Sequence, residues 1–453
     1  MGNALSLRHS KVKINRKSSR KRLKIYFKQN FRASGVLPGS SNLDAMNGRS
    51  IEGPDNLTYN SVKYGKLVIL GDSPRNQSKL SLKQRRIGNG FHAEPFQHHA
   101  ANYHFHNDWR YSFTYLPDPA VDMFQIGRGR NSCIDFAVEE GGNQNGNRKN
   151  TVAKYAGRIQ IQRQPPYLAR IYAAGFDDKN IIFLDDDAVI WNFSGNIIAF
   201  PGISVMIFRC GNTSASSSRH AGDNSKDVAS SSRQYLPAWR EVSVCGDIYI
   251  DRQSSEDLPY KVDEDNTLAD KTLIDFGGIL ILYRSVKNLH ETLRKRDLQE
   301  VIDDFNKANI QCPINFGKLR LPFSSTESIA TDSNPYVYLK CGHVYGRHTW
   351  RDAHDRYGQE RTCPQCRQRS HFIPLKIGHK SSFHFDKGFL NHCFDPCGHL
   401  ASETTARFWC SIPPLANSQR RHYPVCPFCL VIIKPAPVCL RFDTDSDDEV
   451  PFG

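Results

Sequence analysis

The sequence predicts a mainly β protein, a sandwich of short strands followed by a small domain held together by metal. Three observations predict it. Short apolar segments punctuated by turn residues run from Tyr64 to residue 287, a cysteine–histidine pattern occurs twice after residue 335, and 453 residues are enough for more than one core.

The strand segments come first. "KLVILG", "DMFQIG", "IDFAVEE", "ARIYAAG", "NIIFL", "SVMIF", "VSVCGDIYI" and "GGILILY" are rich in Val, Ile, Phe and Tyr and are separated by Gly, Asp and Asn. Such side chains fit a pleated, half-buried surface, and segments this short suit a sandwich. Three polar stretches (139–150, 211–234 and 252–271) lack apolar residues to bury and read as surface loops or disordered insertions. Leu289, Leu293, Leu298, Val301, Ile302 and Phe305 then recur at roughly helical spacing, which predicts a linker helix packed on a neighbouring domain.

The metal pattern explains the rest. Thirteen cysteines, several in C-x-x-C pairs and with no secretory signal ahead of them, point to metal binding in a reducing compartment. Cys341-Gly-His343 is followed by Cys363 and Cys366 of "CPQC"; Cys397-Gly-His399 is followed by Cys426 and Cys429 of "CPFC". Trp350 lies between the pairs of the first copy and Trp409 between those of the second, so C-G-H…W…C-P-x-C is an internal repeat. Zinc accepts four N/S donors tetrahedrally, and six cysteines with two histidines make two closed Cys₃His sites for two Zn²⁺ ions. Closed sites are structural, so zinc here is expected to hold loops and activate no water. Two pairings stay open, sequential sites or the interleaved cross-brace of a RING. The other seven cysteines (133, 210, 245, 312, 393, 410 and 439) read as small buried hydrophobes, with Cys393, His348, His392 and His422 as substitute ligands. The fragment 310–453 is expected to fold around its two ions.

Charge sits apart from the fold. The net charge is +14, but residues 1–43 hold eleven Lys/Arg and no acidic residue, which leaves 49 cations against 46 anions, or +3, for the remainder. That near-neutrality argues against a specific nucleic-acid partner. The tail opens "MGNALS", where Gly2 and Ser6 match the N-myristoylation pattern, and a basic run follows. Acyl chain and basic cluster together form a two-signal anchor for an anionic membrane; a disordered tail or a nuclear-localisation cluster are the plainer readings. No apolar run approaches the roughly 20 residues of a membrane span, and the expected location is cytoplasmic, with peripheral membrane attachment through the tail. The chain ends in "DTDSDDEV", an acidic tail containing Ser446, a candidate phosphosite.

The chain from about Tyr64 to residue 442 resembles the Pellino family of ubiquitin ligases. The resemblance is carried by "DMFQIGRGRNSCIDFAV", "ARIYAAGFDDKNIIFL", "AWREVSVCGDIY", "LIDFGGILILYR", "CGHVYGRHTW" and "PCGHL…W…CPFC", all in one order. It implies a forkhead-associated β-sandwich with a wing insertion at 59–287, a linker with a helix at 288–334 and a RING-like zinc domain at 335–442; the basic tail at 1–58 and the acidic tail at 443–453 lie outside the resemblance and are read from composition. It further implies a ubiquitin-conjugating enzyme and a phosphorylated kinase of the interleukin-receptor-associated type as partners, in Toll-type innate-immune signalling. The competing class is a non-enzymatic scaffold. A ligase of this kind lends no nucleophile; it positions a charged conjugating enzyme, for which Val344, Trp350, Pro427 and Phe428 are the docking candidates. By the same resemblance Arg128 of "IGRGR" is the expected phosphate ligand, a role that suits a guanidinium fork. The resemblance puts the family's serine position at Ala153 and its asparagine position at Pro201, with Lys154, Arg158 and Arg130 as compensating charge; an alignment shifted by one or two residues brings in Asn192 or Asn196 instead.

Overall fold

The computed structural model describes residues 61–71, 79–93, 115–129, 132–138, 152–178, 188–193, 196–209, 238–252, 258–289, 292–321, 333–348, 360–416 and 421–442, together with residues 180, 182 and 184. Gly2, Arg130, Cys210, Trp350, both terminal tails and the polar stretches 139–150 and 211–234 lie outside these residues.

The apolar segments pair as strands. In chain order they are β1 (Lys63–Ile69), β2 (Lys79–Lys83), β3 (Gly90–Ala93), β4 (Tyr115–Asp118), β5 (Val121–Gly127), β6 (Phe136–Ala137), β7 (Gly157–Gln162) and β8 (Ala169–Ala173). They continue with β9 (Val189–Phe193), β10 (Asn196–Phe200), β11 (Val205–Phe208), β12 (Trp239–Val242), β13 (Ile248–Ile250), β14 (Leu273–Phe276) and β15 (Leu280–Ser285). A seven-stranded antiparallel sheet runs β13-β12-β11-β14-β15-β1-β2, with Leu67 opposite Tyr283 and Ile207 opposite Ile274. A four-stranded sheet runs β6-β5-β7-β8 and pairs Phe124 with Ile159. Their facing side chains, among them Leu67, Ile69, Phe124, Ile126, Ile159, Ile171, Ile207 and Phe276, form the sandwich core. Hairpins β3–β4 and β9–β10 stand outside both sheets, and a smaller cluster around Tyr115, Phe176 and Ala199 lies beneath them.

One feature of these strands bears on function. "VMIF" in β11 is buried at all four positions, and so is "LIDF" in β14. A strand with one wet face alternates between buried and exposed positions, whereas a strand buried at every position is covered on both sides. The second cover is the metal domain. Val68, Leu70, Met206, Phe208, Trp239, Leu273 and Leu282 point away from the sandwich core into a cluster with Phe383, Phe385, Phe394, Phe408, Trp409 and Phe428.

The stretch 252–271, expected as a loop, partly belongs to the sandwich. Val262 and Leu268 are buried, the Asn266 side chain donates to the Ile171 carbonyl (2.8 Å), and the Leu268 N–H donates to the Ala169 carbonyl (2.7 Å). Two apolar residues among many polar ones suffice to dock it on β8.

The linker forms two helices instead of one, α1 (Val286–Leu289) and α2 (Lys295–Lys307). Asp297 accepts from the Arg294 N–H at the start of α2 (3.1 Å), satisfying an orphan donor of the first turn. Leu298, Ile302 and Phe305 make the buried stripe of α2, and they pack on the first half of the metal domain. No helix among the described residues is long and apolar enough to cross a membrane.

Candidate metal centres and phosphate site

Each half of the metal domain is built from two sharp turns. In the first, β16 (Tyr336–Tyr338) and β17 (Val344–Tyr345) flank Cys341-Gly-His343, while β18 (Glu360–Thr362) and β19 (Arg369–Pro374) flank Cys363 and Cys366. In the second half, β20 (His392–Cys393) and β21 (Leu400–Ala401) flank Cys397-Gly-His399. There α3 (Glu403–Cys410), β22 (Leu415–Ala416) and β23 (Arg421–His422) lead to Cys426 and Cys429, and β24 (Val438–Cys439) closes the unit.

The two halves match bond for bond. The Gly342 N–H donates to the Tyr338 carbonyl and the Gly398 N–H to the Phe394 carbonyl, both at 2.8 Å. Arg367 donates to the Cys363 carbonyl and Leu430 to the Cys426 carbonyl, both at 2.9 Å, and both residues are left-handed (φ 61° and 59°). Gly342 and Gly398 are left-handed as well, with φ of 75° and 74°. A second constraint requires glycine at these two positions. A Cβ on Gly342 would collide with the Cys439 carbonyl, and one on Gly398 with the Pro374 carbonyl.

Those collisions reveal how the halves interlock. The strand that leaves the first unit bonds to the second, through Lys376 N–H to the Gly398 carbonyl and Leu400 N–H to the Lys376 carbonyl (each 2.9 Å). The strand that leaves the second unit returns the contact, through Arg441 N–H to the Gly342 carbonyl (2.8 Å) and Val344 N–H to the Arg441 carbonyl (3.0 Å). The pairing left open in the sequence is sequential. The ligand atoms of Cys341, His343, Cys363 and Cys366 lie within 4.8 Å of one another, and so do those of Cys397, His399, Cys426 and Cys429. The interleaving is done by strands.

The donor sets fit a metal ion. Tetrahedral bonds of about 2.3 Å to sulfur and 2.0–2.1 Å to nitrogen put ligand atoms roughly 3.5–3.8 Å apart. His343 Nδ1 is 3.6 Å from Cys363 Sγ, and His399 Nδ1 is 3.5 Å from Cys426 Sγ. Burial pushes the Cys341 thiol up to about 12, so a thiolate there needs a cation beside it. Three of the substitute ligands stay out, and the His422 side chain lies outside the described residues. His348 sits among Tyr338, Tyr345 and Phe372, and burial, with Arg361 nearby, lowers its pKa to about 4. His392 contacts Asn391 (2.8 Å), and Cys393 is buried with its thiol held protonated. Of the remaining cysteines, Cys312 and Cys410 are buried and Cys133 and Cys245 half-buried, whereas Cys439 is exposed and corrects the expectation of burial.

Three of the four docking candidates are interior. Val344 and Phe428 are 2% and 8% exposed, and Pro427 is buried with its carbonyl accepting from the Gly71 N–H of the sandwich (2.8 Å). Phe428 packs on Phe383, His384 and His399. These side chains cannot meet a partner without unfolding the metal unit, which corrects their assignment; Trp350 lies outside the described residues. The second-unit tryptophan, Trp409, is fully buried and donates to the Phe383 carbonyl (3.1 Å). The apolar side chains that do reach the surface at a metal turn are Leu430, Val431 and Ile432, 50%, 42% and 55% exposed. Their proximity to Cys429 was the signal available in the sequence.

Arg128 is exposed at the end of β5, and its N–H donates to the Ala153 carbonyl (3.0 Å), so the arginine and the loop carrying the serine position are neighbours. Gly127 permits that approach, because a Cβ there would strike the Lys154 carbonyl. Pro201 is buried directly after β10. Arg158 is not compensating charge for the site. It is 0% exposed, donates to the carbonyls of Ala173, Ala174 and Val244 (2.8–2.9 Å), and lies over the rings of Tyr172 and Phe176.

Comparison with known proteins agrees with this architecture. The Pellino FHA domain model matches residues 56–301 and the Pellino RING domain model residues 305–446. A human relative named E3 ubiquitin-protein ligase pellino homolog 2 is 32% identical over 84% of this chain and 94% of its own length. Mouse E3 ubiquitin-protein ligase pellino homolog 3 is 33% identical over 81% of this chain and 86% of its own, and Protein pellino of Drosophila melanogaster 32% identical over 83% and 92%. A sandwich joined to a tandem pair of Cys₃His clusters, matched along its length by both domain models, places the chain in the Pellino family of RING-type E3 ubiquitin-protein ligases.

Proposed function

We propose that two zinc ions hold the metal domain, that this domain recruits a ubiquitin-charged conjugating enzyme, and that the sandwich presents a phosphorylated client for modification. The two closed Cys₃His clusters carry this reading. With four N/S donors each they leave no position for substrate, so the ions order the loops and the rate gain comes from bringing the thioester and a client lysine together. Docking of the conjugating enzyme is assigned to Leu430, Val431 and Ile432, the apolar tip of the second unit. Arg128 holds the client phosphate as a guanidinium fork. The client that the family resemblance implies is a signalling kinase of the interleukin-receptor-associated type, in Toll-type innate-immune signalling.

An autoubiquitination assay with a panel of conjugating enzymes tests the transfer. Ubiquitin chains are expected with at least one enzyme, and Val431→Asp with Ile432→Asp should lower the rate about tenfold or more while thermal unfolding is unchanged, as expected when apolar contacts central to an interface are lost. No product with any enzyme would leave a non-catalytic scaffold; full activity in the double variant would move the docking surface elsewhere.

The N-terminal tail is proposed as a peripheral membrane anchor, on the strength of Gly2, Ser6 and the eleven Lys/Arg that follow them. Gly2→Ala should release the protein from membranes of anionic lipid. A native chain whose intact mass retains Met1 and carries no acyl group would exclude the anchor.

A further inference from the structure

The tip of the first metal unit carries exposed positive charge that its metal turn does not require. Arg367, Gln368 and Arg369 stand where the matching turn of the second unit has Leu430, Val431 and Ile432. The backbone bonds and left-handed residue are the same in both, so the turn accepts either kind of side chain. Over the described residues 333–348 and 360–376 the unit holds Lys340, Arg347, Arg361, Arg367, Arg369 and Lys376 against one carboxylate, Glu360, which is 3.3 Å from Lys340. Arg367 and Arg369 are exposed and have no ion-pair partner among the described residues.

The chain itself supplies the complement. Arg441 is bonded to Gly342 of this same unit, and the Phe442 ring lies 5.8 Å from Phe305 of α2. Immediately beyond come Asp443, Asp445, Asp447, Asp448 and Glu449, five carboxylates in seven residues. Extended chain covers at most about 3.3–3.6 Å per residue, so seven residues reach roughly 23–25 Å. The distance to be covered is short. Gly342 lies between two ligands, Cys341 and His343, whose atoms are within 4.8 Å of that of Cys366, and Arg367 follows Cys366 directly.

We propose that the acidic segment 443–449 docks in cis across the cationic tip of the first metal unit, with carboxylates on Arg367 and Arg369, and leaves the apolar tip of the second unit uncovered. Arginine suits this role because its planar fork takes a carboxylate through two parallel hydrogen bonds. Phosphorylation of Ser446, in the middle of the segment, would add about −1.5 to −2 charge and tighten the contact. The proposal does not depend on the ligase reading.

Carbodiimide cross-linking of the full chain tests it, because that reagent joins a lysine to a carboxylate only where the two are in contact. At low ionic strength the monomeric product should link Lys340 or Lys376 to residues 443–449, and the link should disappear in 1 M salt, where the screening length falls to about 3 Å. A labelled peptide of residues 443–453 should bind a full chain whose five tail carboxylates are replaced by amides. Arg367→Ser with Arg369→Ser should weaken that binding about tenfold, because two exposed ion pairs are lost together, with thermal unfolding unchanged. Links only to the lysines of residues 11–28, links only between two chains, or a peptide affinity indifferent to the double substitution would each overturn the proposal.

Discussion

Cys426→Ser is expected to unfold the second metal unit and, with it, the seven-stranded sheet of the sandwich. Apparent binding free energies of structural zinc are about 10–16 kcal/mol at neutral pH, so loss of one thiolate from a closed site removes most of what orders the unit. The damage then spreads through packing. Seven apolar side chains of the sheet face are covered only by this unit and its flanking segments, with Phe383, Phe394, Trp409 and Phe428 against them. At about 1.5–3 kcal/mol per fully buried side chain, uncovering them forfeits at most roughly 10–20 kcal/mol, as much as the whole stability of a domain. Three polar contacts break as well. Trp239 Nε1 donates to the Pro413 carbonyl (2.9 Å), Arg284 to the Ser382 carbonyl (2.8 Å), and Gly71 to the Pro427 carbonyl.

Cys366→Ser should behave differently. The first unit packs on α2 and on Ile310, Cys312, Leu319 and Leu321, so its loss should release that linker and leave the sandwich ordered. Hydrogen exchange measured on the full chain separates the two variants. Protection in β1, β11 and β14 should be lost in Cys426→Ser and kept in Cys366→Ser. Native protection of those strands in Cys426→Ser would show that the sheet needs no cover from the metal domain. The fragment 310–453, expected from sequence to fold around its two ions, leaves the same apolar surface bare and lacks α2, so it should be less stable than the same residues within the full chain.

The second large effect contrasts two arginines. Arg158→Leu should cost several kcal/mol, because three buried carbonyls lose a charged donor and each buried group left unsatisfied costs about 1–3 kcal/mol. Arg128→Ala removes an exposed side chain and should change stability by less than about 0.5 kcal/mol. Binding should show the reverse. Phosphopeptide affinity should collapse in Arg128→Ala while the fold persists. In the native chain that affinity is expected to be weak and salt-sensitive, with little preference for phosphothreonine over phosphoserine, since charge alone carries little information about shape. Denaturant unfolding together with paired peptide titrations at low and moderate salt decides it. Native-like stability of Arg158→Leu would refute the structural assignment; tight, threonine-selective binding would show that residues other than Ala153 and Pro201 complete the pocket.

Sequence by itself determined what depends on neighbours along the chain. A metal turn needs Cys and His separated by a left-handed glycine, or two cysteines in C-P-x-C, and these few residues bring their ligands together wherever the turn is placed. The sandwich was likewise legible, because strand-forming side chains and turn residues act over a handful of positions. Tertiary structure decided whatever depends on which surface meets which. Cys341 and His343 share an ion position with Cys363 and Cys366, not with Cys397 and His399, because β16 pairs with β19 across the first unit. Phe428 and Pro427 were candidates for a partner, and the outer face of the seven-stranded sheet took them instead. Arg158 looked like surface charge, and carbonyls from two other segments of the chain enclosed it. Burial is a property of the pair of surfaces in contact, and one segment of sequence specifies only one member of that pair.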